Sequence, residues 1–277
     1  MAVVAFWNDG KKETGQTVSI AAIATHLSFF NNYRTLIFDT KHNGSTFKEC
    51  FWSQGIEKIE FKDKTKTDIA TGVSGLAKAI FSNKASPEAI KNYTKTIFAK
   101  SKLELLSDKE ITKEEYDKQK IVFKEMIKMA NKAYDIVLVD LTGELSEPYI
   151  SGILELSNLI VLTLPQTLRG LNKYVELRKQ NDLLTMDKKM VMIGRYDAYS
   201  KYNAKNIERH IGEKMIYGIP YNSLFFEACN EGQVADYFIK LRKIKENDPN
   251  FPFVNSIREI SEKIIERIKS IQAQLYG

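Results

Sequence analysis

Gly10, Gly15 and Thr17 hold three of the four fixed positions of a phosphate-binding loop, Gly-x-x-x-x-Gly-Lys-Ser/Thr, and Gln16 holds the fourth. In such a loop, backbone N–H groups at a helix N-terminus converge on an anion. Glycines serve where the chain turns sharply or must approach the phosphate. The lysine adds a full positive charge and the threonine hydroxyl ligates Mg²⁺. With Gln16 the loop keeps its amide donors and loses the charge. Charge-assisted bonds are roughly twice as strong as neutral ones. The exchange should therefore harm transition-state stabilisation more than loop shape.

The flanking segments suit that role. Ala2–Trp7 is an apolar run that reads as a first strand and is too short for a signal peptide. Residues 17–30 carry Ile20, Ile23, Ala24 and Leu27 at helical spacing. Thr35–Asp39 is a short strand ending in an acid, and Tyr134–Gly143 is a continuous apolar strand running into Asp140. Leu159–Pro165, Lys189–Gly194 and Met215–Pro220 read as further strands. The order predicts an α/β fold, a mainly parallel central sheet with helices on both faces.

Elsewhere the pattern predicts a helix over 68–81, a helix start at Ser86-Pro87-Glu88, and a strand near Ile97 or within Leu103–Leu106. It also predicts one amphipathic helix from Ile111 to Lys132. A terminal helix bears Ile257, Ile260, Ile264, Ile268, Ile271 and Leu275 on one face, with acids and bases mixed opposite. A membrane-surface helix would show a basic polar face, so docking on the sheet is expected. The expectation is one domain over 1–277, with 251–277 as its last layer.

Composition narrows the function classes. Apolar residues make up 43% and charged residues 27%, which suits a globular chain with a sizeable core. No apolar run reaches the ~18 residues of a membrane span. The two cysteines, Cys50 and Cys229, lie far apart, as in a reduced cytoplasmic chain. His26, His42 and His210 lack metal-ligand spacing. A net charge of +6 would aid approach to nucleic acid or acidic lipid, but the lysines are interleaved with acids rather than clustered. DNA binding has only that weak support.

With Lys11 directly after the first glycine, the stretch Gly10–Thr17 resembles the deviant phosphate loop of the ParA/MinD ATPases. Further segments continue the resemblance in order: Leu36–Lys41 the second strand and its Asp-x-Asp switch, and Asp135–Gly143 the strand with the magnesium-linked acid. Leu159–Arg178 is similar to the strand and helix that follow. Met192–Asp197 resembles the strand that ends before the base-binding asparagine. Gly218-Ile219-Pro220 with Ala228–Gly232 resembles a late segment of the family. It implies a P-loop NTPase fold that binds ATP and Mg²⁺ as a homodimer. Gly10, Lys11, Gly15, Gln16, Thr17 and Val18 would surround the phosphates, and Arg195 and Asp197 would lie beside the base. Thr17 and Asp140 would ligate Mg²⁺. Lys11, reaching the partner's nucleotide, and Asp39 would serve catalysis.

The departures are as informative. Gln16 replaces the lysine, and Lys12 and Glu13 replace two glycines. Lys41 replaces the second switch acid, and Asp197 the base-binding asparagine. Together they imply a degenerate member with weak or no hydrolysis, unless Lys41 or Lys12 swings in to supply the charge. The Gly15-Gln16-Thr17 tripeptide is similar to the TadZ/CpaE branch, which positions pilus or secretion machinery. The leading expectation is a dimeric positioning factor, recruited through a protein partner to a pole or to the inner membrane face. An active partition or division-site ATPase is the alternative, and a group-transferring P-loop enzyme is a third. Each residue also has a plainer role open to it. Gly10 and Gly15 would make a tight turn, Lys11 and Lys12 a solvated surface. Asp39 and Asp140 would cap helices, and Arg195 and Tyr196 would pack at a strand end.

Overall fold

The first strand shows how the chain is layered. In β1 (Ala2–Asn8) every residue is buried, yet successive side chains enter different cores. Ala2, Val4 and Phe6 join one core, and Val3, Ala5 and Trp7 the other. A strand between two helical layers needs apolar side chains on both faces, which is why these segments read as continuous apolar runs. The computed structural model describes residues 1–10, 14–42, 46–53, 71–98, 102–108 and 110–276.

In chain order, β1 leads into α1 (Gln16–Phe29), β2 (Thr35–Asp39), α2 (Thr46–Phe51) and α3 (Gly72–Phe81). Next come β3 (Lys95–Thr96), β4 (Leu103–Leu106), α4 (Lys113–Lys120), α5 (Phe123–Ala133) and β5 (Ile136–Thr142). Then follow α6 (Pro148–Leu156), β6 (Leu159–Thr163), α7 (Leu168–Gln180), β7 (Lys189–Tyr196), α8 (Ala204–Ile211) and β8 (Ile216–Pro220). The last elements are α9 (Ser223–Asn230), α10 (Val234–Lys240) and α11 (Phe251–Tyr276). The strands form one sheet in the order β3-β4-β2-β5-β1-β6-β7-β8. All of its pairings are parallel except that of β3 with β4. Helices α1, α2, α9, α10 and α11 cover one face, and α3, α5, α6, α7 and α8 the other. The expected α/β fold is therefore present.

Register places the acids. Asp39 of β2 sits directly opposite Asp140 of β5, and Phe6 of β1 lies opposite Asp140 on the other side. Two carboxylates thus meet at the C-terminal ends of adjacent central strands, where open α/β sheets gather ligands.

Four local expectations are refined. Residues 68–70 of the expected helix lie outside the described residues, and α3 runs from Gly72. Ser86-Pro87 begins only a 3₁₀ turn, Glu88–Asn92, before the chain bends into the edge strand β3. The helix expected over Ile111–Lys132 is two helices, broken at Ile121–Val122. Gln119 near the end of α4 is buried against Ser74 and Asp108 (2.7 and 2.6 Å), while Phe123 and Met126 of α5 enter the core. The break accommodates both directions and turns Ile121 outward. Finally, α1 is buried almost all round rather than on one face. The reason is α11, whose Ile257, Ile260, Ile264 and Ile268 share one core with α1.

Candidate functional site

The site gathers at the C-terminal ends of β1, β2, β5 and β7, around the first turn of α1. Gly15 directly precedes α1 with φ 72, a left-handed conformation that favours glycine. Gly194, near the end of β7, lies so close that a Cβ there would sit 2.2 Å from the Thr14 carbonyl oxygen. The loop thus rests on β7 through backbone contact. The first N–H groups of any α-helix lack intrahelical acceptors, so the opening turn of α1 carries donors for an anion. Gly10 also has a left-handed φ of 85. Lys11, Lys12 and Glu13 lie outside the described residues, and with them the lysine expected to reach across a dimer.

Gln16 does not face outward into the loop. It is 3% exposed, and its amide turns back into the sheet. Nε2 donates to Asp140 Oδ1 (2.6 Å), with the Leu141 and Phe6 carbonyls at 3.1 and 3.2 Å. Its Oε1 accepts from Asn8 Nδ2 at 3.0 Å. An amide offers two donors and one acceptor oxygen, and this one uses both kinds inside the protein. Of the Gln16 groups expected near phosphate, the side chain instead ties β1 and β5 to α1, and its backbone N–H is the donor left for a ligand.

Asp140 is fully buried and doubly occupied. Gln16 binds Oδ1. Oδ2 accepts from Thr17 Oγ1 at 2.7 Å and pairs with Lys41 Nζ at 2.8 Å. Lys41 Nζ also donates to Thr17 Oγ1. The lysine backbone is fixed as well. Its N–H donates to Asp39 Oδ1 (3.1 Å), and the preceding Thr40 hydroxyl donates to the Asp140 carbonyl (2.7 Å). Tyr116, on α4, donates its hydroxyl to the Thr40 carbonyl (2.9 Å). Burial pulls the Lys41 pKa down, but Asp140 and Asp39 outweigh it and raise it above the ordinary lysine value. The side chain is an ammonium at neutral pH.

Thr17 and Asp140, expected to ligate Mg²⁺, do come together. However, the Lys41 ammonium already contacts both oxygens. Mg²⁺ demands near-ideal octahedral oxygen coordination at about 2.1 Å. It does not fit these residues as they stand.

Beside the loop lies a cavity of 170 Å³, lined by Gly15 of the loop, Val18 of α1 and by Arg195, Tyr221, Phe225 and Phe253 among others. Arg195 has φ 57, and its guanidinium lies 5.7 Å from the centre of the Tyr221 ring. Asp197 does not line the cavity. Its carboxylate accepts from the Tyr199 N–H (2.9 Å), and Gln166 clamps its backbone with two bonds of 2.8 Å. Asp197, expected beside the base, thus sits at the end of β7 between Gln166 and Tyr199. The aromatic wall was missed in the sequence. Its one signal was the aromatics following Ile219-Pro220.

No protein-family model matches the chain, and no curated protein matches its sequence. Solved structures do match. A ParA family ATPase from Chlorobium tepidum superposes with TM-score 0.71 at 17% identity, covering 94% of this chain and 98% of that one. The septum site-determining protein MinD of Pyrococcus horikoshii, complexed with Mg-ADP, gives 0.67 at 15%, covering 95% and 96%. A putative plasmid partition protein from Borrelia burgdorferi, bound to AMPPNP, gives 0.63 at 14%, covering 95% and 99%. The chain has the fold of the ParA and MinD P-loop ATPases. Among the described residues no helix is long and apolar enough to cross a membrane.

Proposed function

We propose that this chain is a ParA/MinD-type positioning protein that binds a nucleotide and hydrolyses it weakly or not at all. The observation that carries this reading is the inward turn of Gln16 onto Asp140, with Lys41 on the other carboxylate oxygen. The anion-binding turn of α1 and an aromatic-walled cavity share Gly15 and Val18, a shape suited to a phosphate chain joined to a flat base. Two features tied to catalysis are altered. Side-chain cationic help at position 16 is gone, and the switch position that would orient a water carries a cation, Lys41.

In this reading the protein works as a homodimer across the loop face and recruits a protein partner. The Gly15-Gln16-Thr17 likeness to the TadZ/CpaE branch favours the machinery of a pilus or secretion system. The fold neighbours, which include a septum site-determining protein and a putative plasmid partition protein, support a positioning role of some kind. The second reading, a working partition or division-site ATPase, draws on the retained Thr17–Asp140 pair and on a nearby ammonium. It requires Lys41 to release Asp140.

Phosphate release at saturating Mg-ATP separates the two. Turnover no faster than the buffer blank is expected. Sustained multiple turnover would return the chain to the working ATPases.

A further inference from the structure

Building on the nucleotide-binding reading above, we propose that Lys41 is a tethered cation in the place of the metal. Its ammonium lets the site bind the polyphosphate of a nucleoside triphosphate without a divalent ion.

The geometry carries this. Thr17 Oγ1 and Asp140 Oδ2 are the two protein oxygens that converge on a cation at this loop, and Lys41 Nζ contacts both. The ammonium is built in rather than incidental. The Lys41 N–H is held by Asp39, Thr40 is held by the Asp140 carbonyl, and Tyr116 holds Thr40 from α4. An ammonium has three donors, and two go to these oxygens, leaving at most one for an anion. The side chain is 30% exposed, so the charge is not sealed beneath the sheet.

Charge balance points the same way. Asp39 and Asp140 face each other at adjacent strand ends, and the ammonium offsets one of the two negative charges. Without it, a polyphosphate would meet the Asp140 carboxylate directly. A divalent ion entering this site would have to expel the ammonium from Asp140 and leave it nearby as a like charge. A metal ion and Lys41 are therefore competitors for one position.

The test is equilibrium dialysis of the full chain against labelled ATP, once in excess EDTA and once in excess Mg²⁺. Affinities within about threefold of each other are expected for the unaltered protein. Lys41→Ala is expected to lose about tenfold or more in EDTA, and Mg²⁺ should restore part of that loss. Lys41→Arg should keep metal-free binding. ATP binding that requires Mg²⁺ in the unaltered protein would overturn the inference while leaving the nucleotide reading intact. So would undiminished binding of Lys41→Ala in EDTA. No binding under either condition would remove the nucleotide reading, and this inference with it. The comparison on the unaltered protein decides the matter even where the alanine variant does not fold.

Discussion

Lys41 Nζ lies 2.8 Å from Asp140 Oδ2, a carboxylate with no solvent exposure, although 98 residues separate the two in sequence. Their meeting depends on the register that sets Asp39 opposite Asp140. Removing one partner of a buried ion pair costs about 3–5 kcal/mol. Lys41 is partly exposed and Asp140 keeps two other donors, so the loss should fall below that range. Urea unfolding of Lys41→Met is expected to show a loss of roughly 2 kcal/mol. In Asp140→Asn/Lys41→Met the loss should fall well short of the sum of the single changes. Additive losses would mean that the pair is uncoupled.

Restoring the lysine at position 16 should not restore catalysis. Gln16→Lys would put an ammonium among the Phe6 and Leu141 carbonyls and beside an Asp140 already paired with Lys41. Phosphate release from this variant is expected to stay within about tenfold of the unaltered protein. Robust turnover would show that the missing charge alone disabled the site.

The support under the loop is testable through two glycines. A Cβ at Gly194 would meet the Thr14 carbonyl oxygen at 2.2 Å, whereas one at Gly10 would meet no atom within 4 Å. Gly194→Ala is expected to lose about 1–3 kcal/mol of stability and to weaken nucleotide binding. Gly10→Ala carries only the strain of its positive φ, about 1 kcal/mol. Equal effects in thermal unfolding and ATP titration would argue against backbone contact as the cause.

His26 gives the fold an acid limit. Burial, aided by the charge of Arg258 on α11 and opposed by a hydrogen bond to Asn31, lowers its pKa to about 4. The unfolded chain binds its proton near 6.5, so the neutral ring contributes stability above that pH. The contribution is lost as pH falls from about 6.5 to about 4, roughly 3 kcal/mol in all. Unfolding free energy measured from pH 7 to 4 should fall by about this much, and His26→Gln should flatten that part of the curve. An unchanged slope in the variant would place the acid sensitivity elsewhere.

Association is expected through the loop face. Sedimentation at high protein concentration should show a dimer favoured by ATP. A monomer with and without nucleotide would remove the shared-site picture.

How legible all this was depended on the range of the forces involved. Strands such as Ile136–Thr142 could be read because burial on both faces demands an unbroken apolar run. The glycines of the loop could be read because turns and close approaches limit the residue types allowed. The direction of Gln16 could not, since it follows from Asp140 and Leu141, both more than 120 residues away. The same is true of Gly194, whose constraint is a carbonyl on another element. Lys41 was legible as a departure and as a spare charge, but its hold on both Thr17 and Asp140 was not. The all-round burial of α1 was hidden because its second covering layer, α11, comes at the far end of the chain.

The most direct measurement is a calorimetric titration of the purified protein with Mg-ATP, followed by recovery and identification of the bound nucleotide. Saturable binding with the nucleotide recovered as ATP is the expected result. Recovery as ADP with released phosphate would contradict the account, because the charges arranged around Asp140 would then support hydrolysis. Absence of binding would contradict it equally, because the turn of α1 and its neighbouring cavity would then serve no nucleotide.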